Sequence, residues 1–529
     1  MKIYFLRRQA AILTKQTFLQ GTIILIIAGM ITRLLGFINR LVVARLMGEE
    51  GIGLYMMALP TLILVITLTQ FGLPVAISKR IAEAEARGDK QKIKSILVIS
   101  LVITGISSII FTIGMIFASP FIASTLLTDD RTLFPLIAIS PIIPIIAISS
   151  VLRGYFQGRQ NMKPQSYALV IEQVVRITCV ALFVKLLLPF GIEYAAAGAM
   201  FSVIIGELAS LLFMMYLFKR KKIVKVRHRF MKYVKSSKDT IRELFSIALP
   251  STGSKIISSV SNFLEPIIVS QSLMLAGIST SLATKQYGEL TGYVLPLLFL
   301  PTFITQSLSI ALVPAISEAD ANYNNNLIHY RVHQSIRISF ASGALATIVL
   351  SLFAVPILTF MYGTGDASRF LVLMAPFFIL LYLQPPLQSA LQALDLAKPA
   401  MWNSLIGAAV KFTVLFFLAS NPKFGIMGAA IAMSVSAVLV TILHLASLYK
   451  EIGFKIPMKD LLKMGMLLLL TWFAGNTLKN IYSGLESNLL LFIFIIALLG
   501  LIYIGLLFAL KFVTKEELKQ IPALQKWLS

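Results

Sequence analysis

The stretch Phe18–Arg45, FLQGTIILIIAGMITRLLGFINRLVVAR, opens as an apolar helix and then carries Arg33 and Arg40 where a bilayer would be deepest. Seven residues are nearly two helical turns, so the two guanidiniums share a face, about 10 Å apart along the axis. Gly29 and Gly36 fall on that same face. A central arginine costs about 2.5–3.5 kcal/mol on insertion scales, so this face is expected to turn away from lipid toward a watery hollow. What the hollow holds should be anionic.

Composition points the same way. The chain is 57% hydrophobic and only 13% charged, the balance of a polytopic membrane protein. A formal charge of +24 would suggest nucleic acid in a soluble chain, but here its location argues against a nucleic-acid partner. The single cysteine, Cys179, excludes an intrachain disulfide. The opening MKIYFLRRQAAILTK is basic but lacks a small-residue cleavage site, so residues 1–17 read as an uncleaved cytosolic amphipathic lead-in.

Spans of about 20 residues suffice to cross the hydrocarbon, and the sequence reads as about 14 of them. Six lie in 18–218 and six in 244–449, while two more lie in 450–529 with a cytosolic tail. With the N-terminus inside, the alternate loops hold 35 of the 47 Lys and Arg. The outer loops are short and include Glu49–Glu50 and Asp129–Asp130, the latter read as a solvated pair. That asymmetry puts both termini in the cytosol. The most basic run, KRKKIVKVRHRFMKYVKSSKD (219–239), lies in the linker 219–243 and reads as a solvated inner segment resting on anionic lipid.

The two sides of that linker repeat. Lys163-Pro164 is followed by Arg176, and Lys398-Pro399 by Lys411, each cation twelve residues after its proline. Phe190-Gly191-Ile192 with Ala195-Ala196 recurs as Phe424-Gly425-Ile426 with Ala429-Ala430, and PVAIS (74–78) as PAIS (314–317). Each element returns six spans later, an even number, so the halves are parallel repeats about an axis along the membrane normal. The expected fold is an all-α integral membrane protein with two six-helix lobes around a central cavity, plus two extra C-terminal helices.

Five cations fall in apolar spans: Arg33, Arg40, Arg176, Lys255 and Lys411. They are the candidate substrate-binding groups, since arginine grips phosphate through two parallel donors and lysine supplies a point charge. Glu172, Glu207 and Glu265 are the acids against them. Glu172 and Arg176 stand four apart, the better order for a local pair. Lys255, Ser258, Asn262 and Glu265 form a polar stripe on span seven (244–275). Glu172, Glu207, Asn262 and Glu265 are therefore candidates for ion coupling or for pairing. Pro135, Pro141, Pro144 and Pro385-Pro386 should break their helices. His329 and His333 lack a further ligand nearby, and no phosphate-cradling glycine loop is present, so neither metal nor cofactor is expected.

AGMITRLLGFINRLVVARLMGEEGIGLYMM, LTQFGLPVAISKRIAEAEARGD, ISSVLRGYFQGRQNM and ATKQYGELTGY resemble the stage V sporulation protein B family of endospore-forming bacteria. That family lies in the polysaccharide-transport branch of the multidrug, oligosaccharidyl-lipid and polysaccharide flippase superfamily. The resemblance implies rocking between inward-open and outward-open states, and a role in spore cortex peptidoglycan assembly in the membrane around the forespore. Related precursor flippases carry S-R-V-L-G-F-x-R-D on their first helix. Here T-R-L-L-G-F-I-N-R keeps Arg33, while Asn39 and Arg40 replace the second arginine and the aspartate. The expected function is a flippase, not an enzyme, for a polyprenyl-diphosphate-linked glycan, with cell-wall synthases as further partners. A cation-coupled multidrug exporter of the same fold and a non-transporting scaffold for cell-wall synthesis remain open.

Overall fold

A computed structural model describes residues 18–220, 238–482 and 485–512, and these are helical, with no strand among them. The lead-in, most of the basic linker with its expected lipid contact, and the tail after residue 512 lie outside the described residues.

Helix α1 (Phe18–Gln70) runs 53 residues. At 1.5 Å per residue that is about 80 Å, more than twice the hydrocarbon thickness. It bends at Gly48, whose φ of 69° suits a residue without a Cβ. Glu49–Glu50, expected in a loop, therefore sit on a helix just past a kink. A left-handed Phe71-Gly72 step leads into α2 (Leu73–Ala86), then α3 (Lys90–Phe121). Helices α4 (Leu133–Ile139) and α5 (Ile142–Gly158) are one span broken at Ser140-Pro141, as the prolines required. Then follow α6 (Lys163–Leu187), α7 (Ile192–Arg220), α8 (Lys238–Leu275) and α9 (Thr280–Gly288). A π-helical turn, Glu289–Val294, leads to α10 (Leu295–Phe299), α11 (Thr302–Ala321), α12 (Asn325–Leu352) and α13 (Ala354–Tyr362). The rest are α14 (Ser368–Leu381), α15 (Gln384–Ala393), α16 (Ala397–Ala419), α17 (Ile426–Ile452), α18 (Met458–Ile481) and α19 (Leu489–Ala509).

The protein is a multi-pass membrane protein. Among the described residues, 11 helices are long and apolar enough to cross a membrane, or 12 if the bent pair Thr280–Phe299 and Thr302–Ala321 counts as one span. The expected 14 is not reached by that measure, for two reasons. Expected spans one and two run together in the 60-residue stretch Ile27–Ala86. Expected span seven, within α8, is not among the 11, its apolar run being diluted by serines, Asn262 and Glu265.

Packing divides the chain into two compact units. One holds the chain to Gln271 plus Ser279–Gly288; the other holds Ser272–Ile278 and everything from Glu289 onward. This division differs from one at the basic linker, because most of α8 groups with the first unit. The repeat shows inside each. In the first unit the most extensively paired helices are α6 and α7, in the second α16 and α17. Both hairpins turn on a glycine with positive φ, Gly191 at 138° and Gly425 at 48°. Both then bury the paired alanines, Ala195-Ala196 and Ala429-Ala430, completely.

The first unit's core brings Leu73, Ile77 and Ile81 of α2 against Ile96 of α3, Val151 and Tyr155 of α5, and Leu244 of α8. Gly154 and Gly158, spaced G-x-x-x-G, let α5 lie on α2. A Cβ on Gly154 would stand 3.0 Å from the Pro74 carbonyl oxygen, and one on Gly158 2.6 Å from that of Ser78. Small residues are the usual means of close helix approach in lipid, where burying apolar surface gives no drive. The second unit packs Ile316 of α11, Val332 and Ile336 of α12, Leu387 and Leu391 of α15, Leu448 of α17 and Leu467 of α18. His329 and His333 contribute there by bonding the Ile452 carbonyl and the Asp460 carboxylate, each at 2.8 Å. Gly158→Ala is expected to cost about 1–3 kcal/mol through overpacking, read as a lower melting midpoint in detergent. Gly114→Ala, whose Cβ meets open space, should leave the midpoint in place.

Candidate functional site

The face of α1 read from the sequence is open. A Cβ on Gly29 would meet nothing within 4 Å, and one on Gly36 only Gln173 Oε1 of α6, at 3.9 Å. Arg33 and Arg40 are both exposed, whereas Asn39 between them is buried at 4%. Tyr55, also on α1, is buried within electrostatic reach of Arg40 and Arg176 together. Gln173 of α6 thus stands beside the α1 face, and Tyr55 lies within the fields of Arg40 and Arg176.

Behind this face lies a four-membered ion cluster. Helix α6 supplies Glu172 and Arg176, one turn apart and bonded to each other. Helix α7 supplies Glu207, and α5 supplies Arg153, whose Nη2 donates to Glu207 Oε1 at 2.7 Å and stands 3.9 Å from Glu172 Oε2. Gly206 is why the acids converge: a Cβ there would be 2.8 Å from the Glu172 carbonyl oxygen. Both carboxylates are nearly sealed, Glu172 at 6% and Glu207 at 3% exposure. Two guanidiniums and two carboxylates in low dielectric hold one another, an arrangement that isolated charges at this depth could not sustain.

Arg176, read from the sequence as a cation of the hollow, is thus committed to Glu172, and Glu207 is committed to Arg153. Arg153 is not among the residues singled out from the sequence; it lies on α5, within a helix running from Ile142 to Gly158. On α8, Lys255, Ser258 and Asn262 are exposed, while Ser259 on the other face bonds Thr67 of α1 at 2.8 Å. Glu265 is half-buried near the sealed Tyr287. Every candidate residue so far lies in the first unit. Lys411 alone lies in the second, on α16, with its ammonium 4.7 Å from the Phe412 ring centroid. Counting Arg153, the first-unit candidates comprise five cations against three carboxylates. That surplus suits an anion.

Asp129–Asp130, expected as a solvated pair, is not one. Asp130 is exposed, but Asp129 is 3% exposed and accepts from Arg131 Nη2 at 2.9 Å and from Thr284 Oγ1 of α9 at 2.6 Å. Burial pushes its carboxyl upward, yet hydrogen bonds from Arg131 and Thr284 outweigh that and hold it below the ordinary aspartate range. Arg131 Nη1 also reaches Glu50 at 2.7 Å. The sequence pattern could not foresee this, because Thr284 is distant in the chain.

Residues 18–320 match the model of the polysaccharide biosynthesis protein family. The chain is 53% identical over 510 residues to stage V sporulation protein B of Bacillus subtilis (strain 168), covering 96% of this chain and 98% of that one. It is 23% identical over 415 residues to the lipid II flippase MurJ of the same organism, covering 75% and 76%. Among solved structures, lipid II flippase MurJ in an inward closed conformation overlays with a TM-score of 0.65 at 17% identity, covering 91% of this chain and 98% of that one. An inward-facing multidrug resistance MATE family transporter gives 0.65 at 17% identity, covering 80% and 94%. These overlays are likenesses of fold.

The ion cluster makes its own prediction. Glu207→Ala leaves the part-exposed Arg153 short of its nearest acid and should cost about 1–3 kcal/mol. Pairing it with Arg153→Met removes the stranded charge, and the double variant should melt well above Glu207→Ala alone in detergent.

Proposed function

We propose, from the premise that this chain belongs to the polysaccharide biosynthesis protein family and within it to the stage V sporulation protein B family, that it is a flippase for a lipid-linked glycan. The substrate class is a polyprenyl-diphosphate sugar precursor of spore cortex peptidoglycan, moved by alternating access. The single observation that carries this reading is the exposed pair Arg33 and Arg40 on an apolar helix whose glycines leave open space beside them.

The chemistry follows from that face. A diphosphate presents oxygens to a guanidinium's parallel donors, so Arg33 holds the head group by charge-assisted hydrogen bonds, with Arg40 supplying further field. Lys255 on α8 adds positive potential. The prenyl tail stays in lipid, since it gains nothing from entering a cationic hollow. With both termini in the cytosol, an inside-negative potential favours outward movement of the head group by about 2.3 kcal/mol per charge per 100 mV. The protein moves its substrate without changing a covalent bond. It works in the cell membrane, at the membrane around the forespore, beside the synthases that consume the precursor. The same arginines disfavour cationic drugs as cargo, because the field that attracts phosphate repels them.

Arg33→Ala should lower transfer of labelled lipid-linked precursor across reconstituted vesicles by about tenfold to a hundredfold, the worth of a hydrogen bond to a charged group. A variant that is folded and transfers at the wild-type rate would refute the role of Arg33. Background transfer by the wild-type protein, over a panel of precursors, would refute the flippase reading itself.

A further inference from the structure

The geometry points to a proton-linked switch in which Arg176 exchanges the Glu172 carboxylate for the phosphate of the substrate, Glu172 taking up a proton as it is released. This rests on the flippase reading and deepens it by coupling the binding face to a titrating group.

Three observations carry it. First, Arg176 belongs to two neighbourhoods at once: it is bonded to Glu172, and with Arg40 it acts on Tyr55 at the α1 face. Second, its grip on Glu172 is incomplete. The guanidinium donates to Glu172 through Nη2, while its Nε is buried with no acceptor among the described residues. A buried donor left unbonded is costly, and an anion with several oxygens would satisfy it. Third, the charges facing Glu172 are balanced only while it is ionised. Arg153 comes from α5, Glu207 from α7 and Arg176 from its own helix. Adding one proton to Glu172 leaves two guanidiniums against one carboxylate, and Arg153 is already bonded to Glu207. The guanidinium that loses its partner is Arg176.

The balance is simple. A proton from water adds to the Glu172 carboxylate, the Arg176–Glu172 ion pair parts, and Arg176 keeps its own proton while it turns to the phosphate. Protonation therefore strengthens anion binding, and by linkage anion binding strengthens protonation. Release of the head group returns Arg176 to Glu172 and expels the proton.

The test is the affinity of purified protein in detergent for undecaprenyl diphosphate, from about pH 8 to about pH 5.5, in wild type and Glu172→Gln. The glutamine mimics the protonated carboxyl and cannot titrate. It should bind about tenfold tighter than wild type at the alkaline end, the ratio closing toward one as pH falls. Because both proteins see the same ligand, the ligand's own titration cancels in the ratio. Glu207→Gln, which leaves Glu172 the sole carboxylate between the two guanidiniums, should move the gain in affinity to lower pH. Arg176→Met, in a background that keeps Glu172, should lose the gain in affinity at low pH. A ratio near one at every pH, or Glu172→Gln binding more weakly throughout, overturns the switch and leaves the cluster as a structural brace. If wild type binds no undecaprenyl diphosphate at any pH but Glu172→Gln does, the ratio never closes and the proton link falls. If neither protein binds, both this inference and the diphosphate reading fall. If Glu172→Gln does not fold, the comparison of wild type with Arg176→Met decides by the same pH dependence.

Discussion

A guanidinium carried into hydrocarbon must find water, a counter-charge or a guest, and the first unit is arranged around that demand. Arg153 and Arg176 meet it with Glu207 and Glu172, behind α1. Arg33 and Arg40 meet it by remaining exposed on a face that Gly29 and Gly36 keep clear. The two solutions sit side by side, linked through Arg176 and Tyr55. One is neutral within itself; the other offers positive charge to whatever enters.

Helix approach serves the same end. In lipid, apolar burial gives helices little reason to associate, so backbone contact and polar pairing must do it. Gly206 lets α7 close on α6 until Glu207 joins Glu172, and Gly154 and Gly158 let α5 close on α2 while carrying Arg153 into the cluster. At the other end of the unit, a Cβ on Gly53 would stand 2.1 Å from the Thr284 carbonyl oxygen, so α9 lies hard against α1 and Thr284 can reach Asp129. The charged groups are placed by glycines that carry no charge.

Much was legible in the sequence because membranes punish errors of composition. The helical class, the arginine face and the proline breaks follow from short-range patterns, and the repeat from motifs that return six spans later. Phe190-Gly191-Ile192 and Phe424-Gly425-Ile426 could be matched by eye, and both prove to be positive-φ turns into a helix with buried alanines. The count of spans was less legible. A kink at Gly48 need not end a helix, and the polar stripe along α8 lowers the mean hydropathy of a helix long enough to span.

The sequence by itself determined that this is a helical membrane protein with cations inside its apolar spans and a doubled architecture, since hydropathy, charge bias and motif spacing are written along the chain. Only the tertiary structure decided how those cations are employed. Arg176 and Arg40 look alike in one dimension, yet one is held by a carboxylate and the other lies open. Asp129 looks like a loop acid until Thr284 arrives from α9. Which charges meet depends on helix approach across long stretches of chain, and no periodicity within a single helix encodes it.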